Sequence, residues 1–394
     1  MNEPTAGDRD IDAAGFVDRE ARAEYRRIAL SIFLVAFMNA HSTLLSIVFA
    51  HDGYDLHTIG VLLSSMAITV ILFALLSGEF SGRLGVLPTL RIAMALTLVG
   101  FASLMATRGV FAAALASRLV QGAGQGLFLS AAITYAQSRL SSARFLFLLG
   151  VFSAMMPLAQ AVAPPFGEWV LNVAGDRAMF LAASAPALVG LALTLGVRPV
   201  PKPPSSGGLH LVASWRPSLI EPMLAILVGG AMFGFTTAYM AAALQARSVP
   251  LAAFFTASTL TMFATRALGL RRIETANRRY LVGAGLAFEA IGFLVVAAAQ
   301  RFWLVALGGV LFGVGHSMVY PVLSVWISEG VAPERRAGPQ AWLNTFFNIG
   351  LFAAPLPETW LIYRLGYEQT MSALAGLAAF GAVWLAARGA TVAR

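Results

Sequence analysis

The sequence predicts an all-α membrane protein of twelve transmembrane helices arranged as two parallel six-helix repeats. Three observations predict it. The first is composition: 58% of the 394 residues are hydrophobic and 12% are charged, against about 25% charged in a soluble domain. That leaves too little polar surface to cover a globule in water. The second is a series of apolar runs, each long enough to cross hydrocarbon at a rise of about 1.5 Å per helical residue. The third is self-similarity, because the second half of the chain falls on the first when Gly366 is laid on Gly175.

In order, the first half holds runs at 27–50, 57–79, 88–107, 109–138, 143–173 and 177–197. The second half holds 218–246, 250–270, 280–299, 301–329, 338–362 and 368–388. Residues 1–25 mix acidic and basic side chains with no apolar core, so they read as a cytoplasmic tail rather than a signal peptide. Residues 26–197 form a first bundle and 218–390 a second. Between them, 198–217 includes RPVPKPPSSGGLH, whose prolines, serines and glycines mark a linker.

The net charge of +8 is distributed unevenly. Loops on the side of the N-terminus carry Arg83, Arg91, Arg139, Arg144, Arg198, Lys202, Arg216, Arg271, Arg272, Arg278, Arg279, Arg335, Arg336, Arg388 and Arg394. The opposite loops carry single arginines or none. Such a bias orients a polytopic protein with its basic loops in the cytoplasm. Both termini are therefore expected there, in an inner membrane, and the basic charge reads as topology rather than as a nucleic-acid surface. The absence of cysteine excludes disulfides and thiolate chemistry. The five histidines are scattered, so neither a metal site, a cofactor nor an enzyme is expected.

The repeat is carried by spacing. Gly122 and Gly124 meet Gly313 and Gly315, Ala163-Pro164 meets Ala354-Pro355, and Gly78 meets Gly269, with no gap. Repeated bundles in secondary transporters hold a substrate site near the bilayer midplane, between the halves.

Several motifs resemble the major facilitator superfamily over 26–388. GEFSGRLGVLPTL keeps Gly78, Arg83 and Gly85 of the family's loop after its second helix, with Gly82 where an Asp is expected. GLRRIETANRR keeps Gly269, Glu274, Arg278 and Arg279 in the second half. SRLVQGAGQG is similar to the fourth-helix Arg-x-x-x-Gly motif. AQAVAPPFGEW, with Pro164 and Gly167, is similar to the fifth-helix motif of the drug and metabolite:proton antiporters, and TFFNIGLFAAP to their eleventh helix. The resemblance implies alternating access, a small-molecule substrate, a proton as coupling ion and a monomer in the bilayer.

An arginine at helix centre costs roughly 2.5–3.5 kcal/mol on insertion scales, so Arg118 is expected to face the bundle. His41 shares its depth, and a close Arg118–His41 pair with a titratable imidazole is the expectation. Gln121 and Gln125 follow Arg118 on one helical face. Gln160, Thr236, Tyr239, His316, Tyr320, Asn344 and Asn348 complete a candidate polar cavity. Glu289 is the mid-helix carboxylate and candidate proton carrier, placed near Arg266 or snorkelling. Glu168 and Glu358, at nearly matching repeat positions, read as exposed helix-end groups or gates. Gly78, Arg83, Gly85, Pro164, Gly167, Arg278, Arg279 and Pro355 read as conformational positions. The expected function is proton-coupled efflux of a small organic molecule; an importer, a metallophore or siderophore exporter, and a non-transporting sensor are the alternatives.

Overall fold

A computed structural model describes residues 19–137, 155–200, 214–268, 277–331 and 337–392. The first turns of the run at 143–173, most of the linker, and Arg139, Arg144, Lys202, Gly269, Arg271, Arg272, Glu274, Arg335, Arg336 and Arg394 lie outside the described residues.

Among the described residues, twelve helices follow one another. α1 runs through Arg19–Ala40, a 3₁₀ turn at His41–Leu44, and Leu45–His51. α2 is Leu56–Leu84 and α3 is Val86–Ser103 with a closing turn at Leu104–Ala106. α4 is Phe111–Gln137. Met155–Leu193 holds α5 and α6, which join at Gly175. α7 is Ile220–Ala238, continued by Met240–Gln245. α8 is Ala252–Leu268, α9 Arg278–Ala298 and α10 Phe302–Trp326. α11 comprises Ala337–Asn348, a π turn at Ile349–Ala353 and Pro355–Leu365; α12 is Tyr367–Val392.

Among the described residues, eight segments are apolar and long enough to cross a membrane by themselves, and one of these, Met155–Gly196, contains both α5 and α6. Of the other helices, α4 carries the polar face of Arg118, Gln121 and Gln125, and α11 is interrupted by its π turn; α8 is described over 17 residues, Ala252–Leu268.

The described part of α1 reaches back to Arg19, inside the stretch expected to be a tail. Its first turns are fastened rather than free: buried Glu24 accepts from Arg198 at 2.7 Å, and Glu20 pairs with the same guanidinium. At the other end of α1, Asp55 caps α2 by accepting from the Thr58 amide at 2.8 Å. That bonding with Thr58 holds its carboxyl below the usual range. Asp52 beside it is pushed up by burial and by the Asp176 carboxylate.

The duplication is visible in backbone geometry. Gly175 and Gly366 have φ/ψ of 80/−179° and 88/172°, a region that side chains with a Cβ rarely enter. Gly122 lies against α2, and its counterpart Gly313 lies against α8; Gly124 lies against α3, and Gly315 against α9. In each case an added Cβ would strike the neighbouring backbone, so these glycines set the helix separations. Gly85 has φ 99° and is the whole joint between α2 and α3.

Large apolar side chains are exposed on most of the described helices, among them Leu72 on α2, Val99 on α3, Leu188 on α6, Leu307 on α10 and Phe380 on α12; in a bilayer such faces meet lipid. α7 packs against the His41–Leu44 turn of α1.

Candidate functional site

At mid-depth the N-terminal half holds a hydrogen-bonded network. Arg118 is 4% exposed. Its Nε and Nη2 donate to the carbonyls of Leu62 and Leu63 on α2, at 3.3 and 3.2 Å. Its Nη1 donates to Gln121 Oε1 at 2.6 Å. Gln121 Nε2 in turn donates to Ser42 Oγ and Asn39 Oδ1 on α1, at 3.1 and 3.3 Å. Asn39 Nδ2 donates to Gln125 Oε1 at 2.7 Å. One guanidinium thus ties three helices, and each of its three donor nitrogens has an acceptor. The i, i+3, i+7 spacing of Arg118, Gln121 and Gln125 makes this possible.

The expected Arg118–His41 pair does not form. His41 Nδ1 donates to the Phe37 carbonyl at 2.7 Å, and the ring packs edge-on to Phe37 and Phe166. A carbonyl can only accept, so the proton sits on Nδ1. Nε2, with no partner among the described residues, faces Gly167 on α5, where a Cβ would lie 3.0 Å away. Sequence reasoning missed Asn39 and Ser42. The signal was available, since Asn39 and Ser42 are polar residues three apart in an apolar run, but depth alone pointed to His41.

The C-terminal half is built differently. His316 Nδ1 meets Glu289 Oε1 at 2.9 Å across α9 and α10. Glu289 is 0% exposed, and its Oε2 has no partner among the described residues. The imidazole is layered between Phe233 at 4.5 Å and Phe312 at 5.4 Å, with interplanar angles of 14° and 9°. Tyr320 donates to Asn344 Oδ1 at 3.1 Å and meets Phe347 edge-on. The carboxylate therefore pairs with His316, not Arg266, and lies inside rather than snorkelling.

Two further cavity expectations are corrected. Thr236 is buried and bonds the Phe233 carbonyl of its own helix. Tyr239 is 0% exposed and ties α7 to α11 through Pro355 O at 3.0 Å and the Thr359 hydroxyl. Gln160 and Asn348 are half-buried and stand apart from both networks.

The halves meet towards the Asp52 end. Glu168 Oε2 on α5 accepts from the Leu251 amide at the start of α8, at 2.9 Å. Thr256 of α8 donates to Ala161 O of α5 at 3.1 Å. Gly60 of α2 lies against Thr359 of α11 so closely that no Cβ could be added. These contacts are repeat-related, since Gly60 corresponds to Leu251 and Glu168 to Thr359 at the Gly175–Gly366 offset. Glu358, expected at an exposed helix end, is 2% exposed, and neither carboxyl oxygen has a partner among the described residues. At the opposite end, named ion pairs join residues of one half: Arg278 with Glu329, and Arg279 and Arg388 with Glu221. Arg83 pairs with Glu79 of its own helix at 2.5 Å. Gly78 and Pro164 sit within α2 and α5, half-buried and buried.

A duplicated six-helix bundle, crossing a membrane twelve times with polar groups enclosed at one depth in both halves, defines a polytopic helical membrane protein. Residues 28–271 and 223–393 match the Major Facilitator Superfamily, and the chain belongs to that family. An uncharacterized MFS-type transporter of Burkholderia mallei (strain SAVP1) is 26% identical over 271 residues, covering 68% of this chain and 65% of its own length. The MFS-type transporter YhhS of Salmonella paratyphi C (strain RKS4594) is 27% identical over 233 residues, covering 56% and 54%. The chain thus matches less than two thirds of the length of these relatives. In fold it is similar to the nucleoside transporter NupG, with a TM-score of 0.77 at 14% identity over 92% of this chain and 99% of that one. It is also similar to the human organic anion transporter MFSD10, with a TM-score of 0.68 at 19% identity over 93% and 99%.

Proposed function

We propose that the chain is a secondary active transporter that exports a small organic molecule by alternating access, driven by protons. The observation that carries this reading is the asymmetry of contact between the halves. Named contacts from α5 to α8 and from α2 to α11 join them near the Asp52 face, while the ion pairs at the Arg83 face stay inside each half. A two-bundle protein whose halves are joined towards one face is suited to rock between two states. The membrane relatives named above are transporters by description, which supports the same reading.

His316–Glu289 supports proton coupling. An imidazole and a carboxyl sealed under aromatic rings form a store whose charge changes when one proton is gained or lost. Export is supported by the likeness of the Pro164–Gly167 stretch to the antiporters. Arginine-rich loops favour the Arg83 face as cytoplasmic, with the protein monomeric in an inner membrane. Purified protein in proteoliposomes tests this. Substrate-dependent collapse of an imposed pH gradient, lost in Glu289→Gln, is the expected result. Binding without flux would favour a sensor, and flux without proton movement would remove the coupling.

A further inference from the structure

We propose that the substrate is a neutral molecule with a planar ring and an amide-like hydrogen-bonding edge, held between an amide wall on the N-terminal half and an aromatic wall on the C-terminal half. This rests on the transport reading above. The amide wall is Asn39 and Gln125, bonded to each other and both partly exposed. The aromatic wall is Phe233, Tyr320 and Phe347, also partly exposed, with Asn344 held between them by the Tyr320 hydroxyl. These residues lie at mid-depth on α1, α4, α7, α10 and α11. The His41–Leu44 turn of α1, just after Asn39, touches α7, the helix of Phe233. The two walls therefore flank a junction of the halves.

The withheld charges matter as much as the surface. Arg118 is 4% exposed, and its three donor nitrogens are committed to Leu62 O, Leu63 O and Gln121. Glu289 and His41 are 0% exposed, and His316 is 7% exposed beneath Phe233. A charged ligand would leave water without meeting a counter-ion. A neutral amide can exchange hydrogen bonds with Asn39, Gln125 and Asn344, and a flat ring can stack on Phe233 or Phe347. The buried guanidinium still lends a positive field to the N-terminal wall, so an anion is rejected less strongly than a cation.

Three probes of one ring and nearly one size separate these terms: neutral nicotinamide, anionic nicotinate and the ring-methylated 1-methylnicotinamide cation. Each is measured for thermal stabilisation of the purified full chain and for counterflow in proteoliposomes. Nicotinamide is expected to act at least about tenfold more strongly than nicotinate, and 1-methylnicotinamide the least. Phe233→Leu, which keeps an apolar side chain and removes the ring, is expected to weaken nicotinamide about fivefold. Asn39→Ala supplies a second test through the other wall and is expected to weaken it comparably. Equal or stronger action by either charged analogue, or none by nicotinamide at high millimolar concentration, overturns the substrate class. Stabilisation by nicotinamide without counterflow would leave the class standing and sink the transport reading instead.

Discussion

α4 and α10 are one helix written twice, and the two copies carry opposite chemistry. At the repeat offset Arg118 corresponds to Gly309, Gln121 to Phe312 and Gln125 to His316, while Gly122 and Gly124 keep their glycine partners. The glycines hold the same neighbours in each half, α2 and α3 in one, α8 and α9 in the other. The polar positions do not. α4 spends them on a network that binds α1, α2 and α4 into one unit. α10 replaces that network with stacked rings around a single ionisable pair. Backbone approach is thus what the repeat holds constant, and side-chain chemistry is free to diverge: one half has a rigid hydrogen-bonded frame, the other a sealed pair that can change charge.

The largest effect is expected from forcing each copy to resemble the other. Arg118→Gly leaves the Leu62 and Leu63 carbonyls and Gln121 without their donor, at a cost of about 2–4 kcal/mol for a buried charge-assisted set. Thermal unfolding in detergent reads that loss, and transport is expected to fall about a hundredfold. Gly309→Arg is expected to be worse still. Even a Cβ there would lie 2.9 Å from the Phe254 carbonyl of α8, so the variant should fail to accumulate in the membrane. Normal accumulation of Gly309→Arg would show that the two helices are interchangeable after all.

A smaller but more specific effect is expected in the C-terminal half. Glu289→Gln keeps shape and removes the titrating group, and His316→Gln removes its partner. Each should abolish proton-driven accumulation while leaving substrate counterflow within about threefold of wild type, since counterflow needs no net proton movement. If Arg118→Lys gives this same split, coupling is shared between the halves and the contrast fails.

Much of this contrast was hidden in the sequence, for identifiable reasons. The helices were legible because an apolar run of about 20 residues satisfies its own backbone in lipid only as a helix, and the joint at Gly175 fell between the two predicted runs. The repeat was legible because glycine has few substitutes where helices touch. The partners of Arg118 were not, since they are the Leu62 and Leu63 carbonyls, and every residue type carries a carbonyl. Glu289 and His316 lie 27 positions apart on adjacent antiparallel helices. Pairing them needs the α9–α10 register, which the close contact of Gly315 with Glu289 fixes only in three dimensions. The π turn of α11 and the burial of Glu358 left no mark in hydropathy at all.

The contact between the halves gives an intermediate effect. Glu168→Ala removes the acceptor for the Leu251 amide, whereas Glu168→Gln retains one. Because the site is half-exposed, about 1 kcal/mol is expected for the alanine variant, near the low end for a bond to a charged group. The chain has no cysteine, so a pair introduced at Ala50 and Ala246, which line one cleft of about 520 Å³ between the halves, reports closure by cross-linking. Alanine should lower the cross-linking yield of this pair and glutamine should not. Equal yields for both variants would remove Glu168 from the closing contacts.

The smallest effect is expected at Glu358, and its smallness is informative. In sequence Glu168 and Glu358 look like counterparts, but Glu358 corresponds to Gly167, which lies against His41. Each half therefore buries one ionisable group just behind a contact with the other half: His41 behind Glu168–Leu251, and Glu358 behind Thr359–Gly60. An unpaired carboxylate at 2% exposure would cost several kcal/mol. With neither oxygen partnered among the described residues, an uncharged group is the expectation while the Asp52 face is closed. Glu358→Gln then replaces one neutral group by another of the same size, and unfolding should shift by less than about 0.5 kcal/mol. Glu358→Ala should cost about 1–2 kcal/mol through the space it leaves. A gain of more than about 1 kcal/mol in Glu358→Gln would mean that a charge had been removed. The halves would then differ in net charge beneath the closed face as well as in their networks. A silent Glu358→Gln would instead mean that the face closes over an uncharged layer in both halves, confining their difference to the level of Arg118 and His316.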